Sequence, residues 1–160
     1  MDSRVQPTLP QFILGNEHVL PARCFAALAA ACPPNVTLVR RKTGWVDRFV
    51  FRRILTVLCD ALAPLRSSYQ PILLLDAHRV HVMAQTFAIC HAAGVWVVVI
   101  PARTTWLLQP LDTDAFSLYK LVLQKEYQAA RVRLACGDLA IGDFLQCVYA
   151  TISRVLHGRK

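Results

Sequence analysis

Two short apolar runs, separated by the length of one helix, constrain this sequence more than any other feature. Pro71–Asp76 reads PILLLD and Val95–Ile100 reads VWVVVI. Each is too short for a helix that is apolar on every side, and both have the composition of a strand buried on both faces. Between them, Val82–Ala93 has helical spacing and stops at Gly94. Parallel neighbours need a crossover connection, so strand–helix–strand at this spacing predicts an α/β fold around a parallel sheet. Functional groups in such sheets gather at the carboxyl ends of the strands. Asp76 closes the first run, and Asp112 follows the second just ahead of a predicted helix.

The rest of the chain fits around that unit. Gln11–Leu14 is predicted as a strand closed by a Gly15-Asn16 turn, and Cys24–Cys32 as an Ala-rich helix stopped by Pro33-Pro34. Val36–Val39 alternates like a strand, with Arg40-Arg41-Lys42 as a cationic turn. From Trp45 onward, Phe49, Val50, Ile54, Val57, Leu58, Ala61 and Leu62 recur at helical spacing until Pro64, with Arg48, Arg52, Arg53 and Thr56 opposite. Ala115–Cys136 reads as a long helix broken at Gly137, and Phe144–Leu156 as a last one. At 160 residues and 55% apolar the chain has the size of one domain and material for a core, which excludes a disordered chain. Its longest apolar stretches, Phe25–Cys32 and Gly94–Ile100, fall far short of the ~20 residues of a spanning helix. Met1–Pro10 places prolines and polar residues where a signal peptide is apolar.

Eighteen Lys and Arg against ten Asp and Glu give a net charge of +8, and fourteen of those cations are Arg. An Arg-rich, basic domain favours a polyanionic partner, nucleic acid first and an anionic membrane second, although many basic proteins have no such partner. Arg48, Arg52 and Arg53 suit phosphate contacts and equally suit an ordinary solvated helix face. The six cysteines (24, 32, 59, 90, 136 and 147) form no CxxC pair or finger spacing and sit mostly among apolar neighbours, as buried reduced thiols of an intracellular protein do.

If strands 71–76 and 95–100 are neighbours, Asp76 and Asp112 lie on one sheet edge. Paired carboxylates there offer the hard oxygen ligands that Mg²⁺ or Mn²⁺ takes. The plainer alternatives are a strand-end turn residue for Asp76 and a helix N-cap for Asp112. His78 and His81 beside Asp76 could suggest zinc, but a zinc site needs a third strong ligand that the nearby sequence lacks; His81 could instead hydrogen-bond a ligating carboxylate. A Gly-rich phosphate loop, GxSxG and HExxH are all missing, and with no Gly-rich βα turn a Rossmann-like enzyme has little support.

These residues also carry a family resemblance. PILLLDAHRVH (71–81), IPARTTWLLQPL (100–111) with Asp112, and Phe116 with Lys120 resemble the DDE superfamily endonuclease domain of pogo/mariner-type transposases. Thr43-Gly44-Trp45-Val46-Asp47 with Phe51 and Leu55 resembles the stretch before that family's first long helix, so the likeness spans roughly residues 9–130. It implies a ribonuclease-H-like (integrase-type) mixed sheet flanked by helices and DNA strand cleavage and joining with two Mg²⁺ (or Mn²⁺) ions. Asp76 matches the second metal-binding acid and Asp112 the third, ahead of Asp114, which stands outside the motif. His78, His81, Thr104, Thr105 and Gln109 match the surrounding motif, the last three shaping the loop before the third acid. Arg48, Arg52, Arg103 and Lys120 are the expected DNA contacts.

The family's first Asp lies on a strand upstream of the segment matching Gln11–Leu14, whereas Asp2 falls where a hairpin turn would be. Ala77 stands where Gly or Asn is common. The resemblance thus implies one partial domain over 1–160, lacking its first two strands and the amino-terminal helix-turn-helix, with a helical segment over about 115–157. Such a chain leaves strand 71–76 an open apolar edge. The expectation is a nuclear or otherwise intracellular DNA-binding protein, with a homodimer as a further expectation, that does not cleave DNA as the isolated chain. The alternative is an inactive, domesticated or degenerate fragment serving as a DNA- or protein-binding module.

Overall fold

The computed structural model describes residues 9–102 and 116–156. They form two compact units, one of residues 9–45 with 116–156 and one of residues 46–102.

In the first unit, β1 (Gln11–Asn16) pairs in parallel with β2 (Val36–Arg41), and α1 (Ala22–Ala30) makes the crossover. Both strands run past their sequence-predicted ends. Gly15 and Asn16 belong to β1, and Leu20 folds back so closely that a Cβ on Gly15 would lie 2.7 Å from Leu20 Cδ2. Arg40 and Arg41 are likewise strand rather than turn, paired with Gly15 and Asn16, and Arg40 Nε donates to the Leu20 carbonyl at 2.8 Å. Two helices follow in this unit, α4 (Phe116–Leu134) and α5 (Ile141–Val155). The break between them is made by Ala135, at φ 51°, rather than by Gly137. The Ala135 and Cys136 N–H groups donate back to Val132 and Arg131 carbonyls, closing the helix end with a left-handed residue that is usually glycine. Leu20, Leu28, Val36, Leu38, Leu145, Val148, Tyr149 and Ile152 form the core. The Tyr149 hydroxyl donates to the Leu28 carbonyl at 3.0 Å and accepts from Cys32 Sγ at 3.2 Å. Arg154 pairs with Glu126 between α4 and α5.

In the second unit, α2 (Arg48–Leu62) precedes β3 (Ile72–Asp76), α3 (Ala84–Ala92) and β4 (Trp96–Ile100). β3 and β4 pair in parallel, Ile72 opposite Trp96 and Asp76 opposite Ile100. Gly94 ends α3 at φ 63°, a left-handed conformation that suits glycine. The Asp47 carboxylate caps α2, accepting from the Phe49 and Val50 amides, each at 2.9 Å. Asp47→Ala is therefore expected to cost about 1 kcal/mol, checked by urea unfolding.

Two sequence expectations are corrected here. The apolar runs are not buried on both faces: Ile72, Leu74, Trp96 and Val98 are exposed, Trp96 by 63%. Leu73 and Val97, on the opposite face, pack on the core of α2 and α3, so alternate residues of a two-stranded sheet meet the helices and the rest do not. On α2 the inward stripe is buried Leu55 and Cys59 with partly buried Phe51 and Leu62 packed beside them, whereas Phe49 and Val57 face solvent. Among the described residues all strand pairing is parallel, in two separate two-stranded sheets, so the mixed sheet that the resemblance implies is not seen there. All six cysteines are free thiols. Burial, helped by the neighbouring Cys59, pushes the Cys90 thiol up to about 11, which keeps it protonated and unreactive. Among the described residues no helix is long and apolar enough to cross a membrane.

Candidate metal and nucleic-acid site

The most elaborated polar group in the second unit sits at the carboxyl end of β3. The strand stops at Asp76, whose Oδ1 accepts from the His78 backbone N–H at 2.9 Å, the two-residue turn that aspartate favours. The His81 and Val82 amides then donate to the His78 carbonyl, at 2.8 and 3.3 Å, and curl the chain back. That curl brings His81 Nδ1 to 2.5 Å from the same Asp76 Oδ1. From α2, Phe51 packs against His81, with ring centroids 4.6 Å apart and planes 38° apart. His78 meets His81 edge-on at 5.5 Å.

The electrostatics follow from this geometry. Partial burial pushes the Asp76 carboxyl up, but the His78 N–H, the His81 hydrogen bond and the charge of the histidines outweigh it, so its pKa falls below the ordinary 3.8. Asp76 is therefore ionised at neutral pH. Its side chain is 34% exposed, and its hydrogen bonds among the described residues all reach Oδ1. An ionised, partly exposed carboxylate hydrogen-bonded in this way fits a hard divalent cation as one of its ligands. Among the described residues no group of three His, Cys, Asp or Glu side chains is placed to hold a metal ion.

Of the other site residues expected from sequence, Arg48 and Arg52 are exposed on α2, where they line a narrow crevice with Phe51, Val80 and Met83. They thus belong to the same unit as Asp76, beside the 78–83 turn. The Arg48 guanidinium lies 4.7 Å from the Phe49 ring centre. Lys120 is exposed on α4 of the other unit. Arg103, Thr104, Thr105, Gln109, Asp112 and Asp114 lie outside the described residues. Phe51 was assigned no site role from sequence. The signal was available in its four-residue spacing from Leu55, which marks a helix face turned inward, but nothing in sequence joins that face to His81.

Residues 11–150 match the family model described as DDE superfamily endonuclease. No curated protein matches, and no solved structure does.

Proposed function

The chain belongs to the DDE superfamily endonucleases, and from that premise we propose that it forms the metal- and DNA-binding part of a strand-cleaving site of the pogo/mariner transposase type. The observation that carries this reading is the Asp76 carboxylate, ionised and partly exposed at the end of β3 with its hydrogen bonds among the described residues on Oδ1.

Asp76 and Asp112 hold Mg²⁺ or Mn²⁺ in this reading, on a ribonuclease-H-like sheet. Two such ions, when bound, would supply Lewis acidity, one for an attacking water or 3′-hydroxyl and the other for the leaving oxygen. The protein's own residues do the rest. His81 steadies Asp76, while Thr104, Thr105 and Gln109 shape the approach to Asp112. Arg48, Arg52, Arg103 and Lys120 take phosphates, and their bidentate or point-charge contacts fix the strand without reading its sequence. A nuclear protein that meets DNA as a homodimer is part of the same reading.

Two matching acids are fewer than the three that the family uses, so these 160 residues assayed alone are expected to bind DNA without cutting it. Supercoiled plasmid, Mg²⁺ and pure protein test this directly. Nicking that disappears in Asp112→Asn would overturn the second half of the expectation. Binding should weaken steeply with salt, and Arg48→Ala with Arg52→Ala should lower the slope of log affinity against log salt by about 2. An unchanged slope removes those two arginines from the interface.

A second reading, an inactive domesticated or degenerate fragment acting as a DNA- or protein-binding module, draws on Asp76 and Asp112 matching only two of the family's three acids. DNA binding indifferent to chelator and to both Asp→Asn changes would favour it.

A further inference from the structure

The 77–83 turn that carries His81 belongs to neither β3 nor α3. A histidine ring on such a turn, held by one hydrogen bond, is free to flip and present its other edge. Here it has a second restraint. Phe51 lies 4.6 Å away on α2 and packs against the core of buried Leu55 and Cys59, on a helix whose start is fixed by the Asp47 cap. Support thus runs without a gap from the core to Phe51, from Phe51 to the His81 ring, and from Nδ1 to Asp76 Oδ1.

We propose that Phe51 is a positioning residue for the Asp76 site: its packing against His81 locks the imidazole with Nδ1–H donating to Oδ1, which leaves Oδ2 to the cation. This rests on the reading of Asp76 as a metal ligand. Phe51 touches neither metal nor DNA in it and acts through His81. The same helix carries Arg48 three residues before Phe51 and Arg52 one residue after. One element therefore sets both the carboxylate and the cationic side chains beside it, and a displacement of α2 would disturb the two together.

The test is ¹⁵N spectroscopy of the histidine rings at pH 8, where an unperturbed imidazole is neutral, alongside Mn²⁺ binding by titration calorimetry. In the native chain His81 is expected to hold its proton on Nδ1, with ring protons shifted upfield by Phe51. A free histidine prefers the proton on Nε2. Phe51→Leu should lose the upfield shift, move the proton population toward Nε2 and weaken Mn²⁺ binding roughly 10-fold, the size of effect found for partners behind a metal ligand. Phe51→Tyr should restore both. A native His81 protonated on Nε2 overturns the proposal without any variant. So does an unchanged tautomer in a folded Phe51→Leu chain. A native chain that shows the locked tautomer and binds no Mn²⁺ removes the metal reading and leaves Phe51 as the residue that orients His81.

Discussion

Asp76→Asn is expected to weaken Mn²⁺ binding by more than about 100-fold, beyond the range for a residue that only supports a ligand. The change is close to isosteric. An asparagine oxygen can still accept from the His78 amide and from His81, so the turn after β3 should keep its shape while the site loses a negative charge. DNA binding driven by arginines should persist, because counterion release at phosphates does not involve Asp76. Acid titration gives a second readout. The folded-state pKa of Asp76 is depressed, so its contribution to stability is present above the ordinary value of 3.8 and is lost as pH falls through the lower, folded value. The midpoint of thermal unfolding, followed from pH 6 to pH 2, should therefore fall less steeply at the acid end in Asp76→Asn. Equal Mn²⁺ affinity in the two proteins would dismiss Asp76 as a ligand.

Leu55→Ala is expected to cost about 3 kcal/mol, read from urea unfolding. Leu55 is 2% exposed at the centre of a core shared with Cys59, Cys90 and Val95. Truncation removes three carbons and leaves a cavity that two rigid helices and a sheet cannot collapse into. In a unit as small as residues 46–102 that is a large share of any plausible stability. Val57→Ala on the same helix should cost less than about 1 kcal/mol, because Val57 is 37% exposed. The pair separates two descriptions of α2. Helical periodicity in the sequence favours Val57 as a core residue, and the packed stripe of Phe51, Leu55, Cys59 and Leu62 favours Leu55. Equal costs would show that the stripe is misplaced.

That contrast marks the boundary between what local pattern determines and what it does not. α2 is legible because apolar residues recur at helical spacing between an Asp cap and a Pro, and those are local energies. Its buried face is not, because Phe49, Val50, Phe51, Ile54 and Leu55 offer apolar side chains almost all the way round. Which of them turn inward is settled by where β3, β4 and α3 lie. The strands show the same division. PILLLD and VWVVVI are strands by composition, and their parallel pairing follows from the intervening helix. The exposure of Ile72, Leu74, Trp96 and Val98 depends on what packs on each face, which no alternation in those runs announces.

For the site, the carboxylate at the strand end was legible from the apolar run it closes, and the family from the resemblance carried by the D-x-H-x-x-H stretch and the motif ending at Asp112. Asp112, thirty-six residues later, lies outside the described residues, so the pairing of the two acids still stands on sequence alone. What tertiary structure alone decided is the support behind Asp76. His81 returns to Oδ1 because a turn curls through the His78 carbonyl, and Phe51 reaches His81 from thirty residues earlier in the chain, on α2. Sequence determines the elements and the chemical types at their ends, because those follow from local sterics and hydrophobicity. Which ring lies against which depends on how helices and strands pack, and that is a property of the assembled core.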